Sequence, residues 1–259
     1  MTNINMFEFT LSMAIARARR AGQFGLIGFT ALVVASCGDE AGPAQSRDPS
    51  TPQQLAETEA DGEAGDQEAE REAAKELLKA ASFRRLESGA HVLGSPSAPI
   101  KMIAYESYSC GACAYFEEFT LPLLYRDYIQ AGKVELEIRS FPRHTPDIVA
   151  TSVLNCSSVE RYGALSRLLF ATPKEWVKTQ DQDQAIQDVA SVTKRAGIGE
   201  RVVRRCVEDD AIKQKITALY SDAIKTYSVT ATPTIILDGD ITERAHIWET
   251  LEPILQGKL

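Results

Sequence analysis

Two of the five cysteines stand three residues apart, in Cys110-Gly111-Ala112-Cys113. Thiols at that spacing either supply half of a metal site or run a thiol–disulfide cycle. A structural zinc needs four ligands, and the chain has no second C-x-x-C and no His-x-His pair. His91, His144 and His246 are isolated and read as surface or loop residues. A redox cycle asks for less: one thiolate that attacks a disulfide and a second thiol that resolves the mixed disulfide. Far downstream, Thr232-Pro233 precedes the β-branched run Thr234–Leu237. Proline is tolerated at the start of a strand, so taken alone this dipeptide carries little.

The flanking segments place the cysteine pair. Ile100–Tyr105 is a short apolar run after Pro99 and is expected to be a buried strand. It leads through ESYS into the cysteines, and AYFEEFTLPLLYRDYIQAG then has helical apolar spacing at Phe116, Phe119, Leu123 and Leu124, with Gly132 as the stop. Val134–Ser140 alternates and reads as a second strand. The pair therefore falls at a strand-to-helix turn. Unpaired N–H groups and the partial positive charge of a helix amino terminus favour thiolate over thiol. On this reading Cys110 is the exposed nucleophile and Cys113 the buried resolving thiol. Residues 143–228 show further helical spacing in IVATSVL, YGALSRLLF, AIQDVASVTKRAG and AIKQKITALYSDAI, and Asp238-Gly239 reads as a hairpin turn into Ile241-Thr242.

The chain has 259 residues, 44% of them hydrophobic, and a net charge of −8. That charge is local: between Gly38 and Lys75 eleven acids face only Arg47, Arg71 and Lys75. Leu55 is the one large apolar residue between Gly38 and Glu70, so this stretch is expected to be a disordered acidic tether. From about Glu68 to Leu86 the composition turns helix-favouring. No basic stripe lies beyond residue 20, which argues against nucleic acid as a partner. Arg17, Arg19 and Arg20 precede the apolar run 26–36, whose eleven residues rise about 16 Å as a helix. A hydrocarbon core is about 30 Å thick, so the run reads as a secretory signal rather than a span. Starting from Met13 would leave a compact signal, and general export fits better than the twin-arginine route despite Arg19-Arg20.

Its end, Val34-Ala35-Ser36-Cys37, resembles a bacterial lipobox. That likeness implies cleavage before Cys37 and acylation there; the alternative is a cysteine at the end of an ordinary cleavable signal.

SPSAPIKMIAYESYSCGACAYFEEF followed by VTATPTIILDG resembles the DsbA-like branch of the thioredoxin superfamily, over about residues 89–257. The resemblance implies an α/β, thioredoxin-like fold with an inserted helical domain. Its expected order is a lipoprotein signal peptide (1–36), the tether (37–70), a helical lead-in (71–88), a first thioredoxin-like segment (89–142), the helical insertion (143–228) and a second thioredoxin-like segment (229–259). It makes Cys110 and Cys113 the redox pair around Gly111 and Ala112, and Pro233 a cis-proline whose loop presents the Thr232 backbone to an extended substrate. Cys156 and Cys206 are then expected to form a structural disulfide, worth roughly 4 kcal/mol by loop entropy, or else to be two separate buried thiols. The implied activity is disulfide formation in exported proteins of the periplasm or cell envelope, with a membrane redox partner, a lipid anchor to the membrane, and no cofactor or metal. Reductase or isomerase action, and a non-catalytic lipoprotein holding a peptide or Cu(I), are the alternatives. Two departures qualify the likeness. The acidic residue often found six positions before the first cysteine is Ala104 here, with Glu106 expected beyond the strand end; and Gly-Ala lacks the histidine found in strong oxidants of the family.

Overall fold

The structure, a computed structural model, describes residues 67–259. Its six strands are β1 (Arg84–Arg85), β2 (His91–Leu93), β3 (Ile100–Glu106), β4 (Val134–Ser140), β5 (Thr234–Leu237) and β6 (Asp240–Thr242), in sheet order β1-β2-β4-β3-β5-β6. β3 and β4 are parallel and every other pairing is antiparallel. A parallel pair needs a long crossover, and residues 107–133 supply it as a helical path through α2 (Gly111–Tyr115), a π-turn (Phe116–Thr120), α3 (Leu121–Leu124) and a second π-turn (Tyr125–Ile129). Asp238 and Gly239 both have positive φ, the backbone that a two-residue turn between β5 and β6 demands.

Between β4 and β5 the chain leaves the sheet for α4 (Thr145–Cys156), α5 (Tyr162–Ala171), α6 (Pro173–Trp176), α7 (Gln182–Thr193), α8 (Glu200–Glu208) and α9 (Asp210–Tyr227); α10 (Trp248–Gln256) follows β6. One buried cluster runs from Met102, Leu136 and Ile138 of the sheet through Val149 and Leu165 to Trp176 and Val189, so sheet and insertion share a core. The other sheet face packs Tyr105 and Ile236 against Ala223 of α9.

Three expectations need correction. A helix, α1, already runs over residues 67–79, so the last positions assigned to the tether are ordered; Ala74 and Leu78 are buried, and Glu70 and Arg71 face Arg126 and Glu249. The lead-in then stops being helical, because Arg84 and Arg85 pair with β2 instead, and the Arg85 guanidinium donates to the carbonyls of Leu154, Asn155 and Ser157 at the end of α4. His91 is not at the surface. It lies in β2 stacked on Tyr162 with centroids 3.6 Å apart, and burial together with nearby Arg85 pushes its pKa down to about 3. It stays neutral and accepts from Arg85 Nε at 3.1 Å. Residues 1–66, with the signal, Cys37 and the rest of the tether, lie outside the described residues. Among the described residues no helix is long and apolar enough to cross a membrane.

Arg85 joins three elements through otherwise open helix-end carbonyls. Replacing it by Met should lower unfolding stability by about 2 kcal/mol, read as a shift of the urea midpoint; an unchanged midpoint would remove Arg85 from the account of the insertion's anchoring.

Candidate active site

Cys110 is the residue before α2, with extended backbone (φ −86°, ψ 121°), so the free amides of the first helical turn surround its sulfur. The turn that delivers it is held by Asp147, a wholly buried carboxylate in the first turn of α4. Asp147 accepts from Ser107 Oγ at 2.6 Å, from Ser109 N at 3.0 Å and Oγ at 2.9 Å, and from Arg143 N at 3.1 Å. The helical insertion thus fixes the backbone that positions the thiol.

The two thiols are chemically unequal. A hydrogen bond from the Cys113 thiol, then the otherwise unpartnered Thr232 hydroxyl and the backbone N–H groups of Cys113 and Ala112, lower the Cys110 pKa from 9.0 to about 5 against the opposing effect of burial. Burial, the bond to Cys110 and the negative field of Glu106 push Cys113 far up. Cys110 itself is only 8% exposed, where an exposed nucleophile was expected. Part of the cover is the Thr232 carbonyl, 3.2 Å from Cys110 Sγ, and Thr232-Pro233 is a cis peptide bond.

Glu106 is the largest departure from expectation. It is the last residue of β3 rather than a residue past it, and it is 1% exposed. Strands alternate with period two, so Glu106 looks to the same face as Ala104; that parity was the available signal. Its carboxyl meets that of Glu117, and apart from each other Glu106 Oε1 and Oε2 and Glu117 Oε1 have no hydrogen-bond partner among the described residues. Burial first, then mutual repulsion, pushes Glu106 well up; Glu117 is raised chiefly by burial. The pair holds at least one proton at neutral pH. Glu117 faces inward because the π-turn changes the phase of the helix: Phe116 stays fully buried, while Phe119 is left half-buried and Glu117 and Thr120 turn in.

His246, read as an isolated loop residue, lies within reach of the Cys110 charge and shares a cavity of about 300 Å³ with Pro233, Ile241 and Arg244. Only the fold brings it there. Gly111 and Ala112 are exposed at the start of α2. Cys156 and Cys206 form a disulfide between α4 and α8, with Cα atoms 5.5 Å apart, at the opposite end of α4 from Asp147.

A family model described as Thioredoxin matches residues 87–257. A Rickettsia typhi protein bearing the name of a protein-disulfide oxidoreductase is 21% identical over 164 residues, 63% of this chain and 60% of that relative's length. A crystal structure of a protein-disulfide isomerase from Novosphingobium aromaticivorans is 24% identical and covers 66% of this chain and 97% of its own, with a TM-score of 0.60. Wolbachia pipientis alpha-DsbA1 is 23% identical over 64% of this chain and 88% of its own, with a TM-score of 0.53.

The lowered Cys110 pKa has a direct reading. In the reduced protein, the alkylation rate and thiolate absorbance of Cys110 should be half-maximal near pH 5 and flat above. Cys113→Ala should move that midpoint up by a unit or more, because the leading stabilising hydrogen bond is gone. A midpoint at the ordinary thiol value in the unmodified protein would contradict the geometry.

Proposed function

Since the chain belongs to the thioredoxin family over residues 87–257, we propose that it is a thiol-disulfide oxidoreductase of DsbA type that forms disulfides in exported proteins. The observation that carries this reading is the inequality of the two sulfurs. A stable Cys110 thiolate makes a good leaving group and favours the reduced state of the pair, which is what a donor of disulfides requires. The names of the Rickettsia and Wolbachia relatives agree with it.

Exchange begins when a client thiolate attacks Cys110 Sγ of the Cys110–Cys113 disulfide; the sulfur–sulfur bond breaks and its electron pair moves to Cys113 Sγ. That buried sulfur must take a proton at once, and the Glu106–Glu117 pair holds one beside it. A second client thiolate attacks the client sulfur of the mixed disulfide, and Cys110 leaves as thiolate. Two client thiols become one client disulfide, and the Cys110–Cys113 pair takes up the two electrons. A partner of higher potential, placed in the membrane, must take them back. During the exchange the Thr232 backbone and Pro233 present an edge on which the client strand pairs.

The remaining assignments belong to the same reading. Cys37 carries the lipid anchor, residues 37–66 act as the tether that lets the folded module reach its clients in the envelope, and Cys156–Cys206 braces the insertion. Several acyl chains at one cysteine give lasting attachment where a single chain does not.

Cys113→Ala should trap client proteins as mixed disulfides at Cys110, and the unmodified protein should speed oxidative refolding of a reduced, scrambled substrate. Glu106→Gln should slow formation of the mixed disulfide, the step in which Cys113 takes a proton, by about tenfold or more, a general acid being worth at least that, while leaving the ionisation of Cys110 close to pH 5. Recovery of no mixed disulfide, together with no acceleration of refolding, would sink the exchange role.

A further inference from the structure

The active-site helix borders a feature that the exchange chemistry does not use. A cavity of about 500 Å³ is lined by the active-site helix, the π-turn after it and α5, and Gly111, the residue after the nucleophile, is part of that lining. Ala114, Tyr115, Phe119 and Phe170 give it an apolar lining. Tyr115 is 39% exposed, an unusual position for a ring that lies 4.9 Å from Phe119 in a hydrophobic contact.

Arg167 of α5 is the one cation on this lining. Among the described residues its guanidinium has no hydrogen-bond or ion-pair partner; it is half-buried, burial lowers its pKa, and only the more distant pull of Glu117 opposes that loss. Glu117 is a weak counter-ion because burial raises its carboxyl pKa to about 7. Lys75, near the other side of Phe119, is already committed to Glu72 and Glu118 at 2.8 and 2.6 Å. An Arg held half out of water beside aromatic rings, with its donor fork unused, is suited to a carboxylate that arrives with an apolar chain.

Resting on the exchange reading above, we propose that this groove binds the client polypeptide next to its reactive cysteine, selecting an extended segment in which an apolar residue is accompanied by an Asp or Glu that pairs with Arg167. The client cysteine sits on Cys110 with one flank against the Thr232–Pro233 edge, and its other flank crosses Gly111 into the groove. At about 3.3 Å per extended residue, the carboxylate belongs within three positions of the cysteine. Charge complementarity chooses the occupant: Glu117 and Glu118 also line the groove, but Glu118 is paired with Lys75 and Glu117 is buried against Glu106, so Arg167 is the charge left open beside the aromatic faces, and an acidic-apolar peptide satisfies both.

The test uses the full-length oxidised protein and synthetic dithiol peptides in which Glu, Gln or Lys is scanned through three positions on each side of the first cysteine, next to a fixed Leu. The rate with dithiothreitol is the control, since it reports the reactivity of Cys110 without engaging the groove. At one or two positions kcat/KM should rise roughly five- to tenfold for Glu over Gln and fall for Lys, with the gain lost above 0.5 M salt. Arg167→Gln should abolish the preference once rates are normalised to dithiothreitol, and Arg167→Glu should turn it toward Lys. Equal rates for Glu and Gln at every position in the unmodified protein, or a preference that survives Arg167→Gln, overturns the assignment while leaving disulfide exchange intact. Failure to oxidise any of the peptides, with dithiothreitol still oxidised, overturns the client role itself and this assignment with it. Should Arg167→Gln fail to fold, the series on the unmodified protein decides alone.

Discussion

The hydrogen bond from the buried Cys113 thiol to the Cys110 thiolate is the interaction on which the site depends. It is strong because one sulfur is ionised and the other is not, and each nearby element keeps them so. The first turn of α2 directs amide N–H groups at Cys110, and burial makes a second negative charge at Cys113 costly. The loop carrying Thr232 closes over Cys110, with its backbone carbonyl 3.2 Å from the sulfur, and the Thr232 hydroxyl nearby helps to lower the thiol's pKa. Had Glu106 been ionised and alone, it would have opposed both thiolates. Its contact with Glu117 keeps a proton in the pair, converting a repelling charge into a proton source.

The insertion contributes to this arrangement directly. Asp147 reaches from the first turn of α4 to the Ser107–Ser109 turn, so the position of Cys110 is set as much by the helical region as by the sheet. At the far end of the same helix, Arg85 and the Cys156–Cys206 bridge hold α4 to β1 and to α8. α4 is therefore a strut between a structural end and a chemical end, and the continuous core from Met102 to Trp176 lets it bear on both.

Much of this was legible in the sequence because it is local. The strand before the cysteines, the helix after them, the Asp238-Gly239 turn and the helical segments of the insertion follow from spacing alone. What stayed hidden depends on phase or on tertiary contact. A π-turn adds a residue to the helical period and carries Glu117 inward where Phe119 was expected. Arg84 and Arg85 have good helix propensity, yet pairing with β2 and three carbonyls at the end of α4 outweigh it. His91 and His246 look alike as isolated residues, and only the fold places one under Tyr162 and the other beside Cys110. Glu106 was the readable case that strand parity alone could have settled, since positions 104 and 106 share a face.

The central claim is that the unequal sulfurs make the Cys110–Cys113 disulfide an oxidant. Its equilibrium with a graded series of reduced and oxidised glutathione, followed by separating the alkylated forms, measures that property with no client or membrane partner present. The account predicts a reduction potential in the range of about −120 to −180 mV, where the reduced form of the pair is favoured. A value at or below about −270 mV, that of thioredoxin, would contradict it and make the protein a reductant.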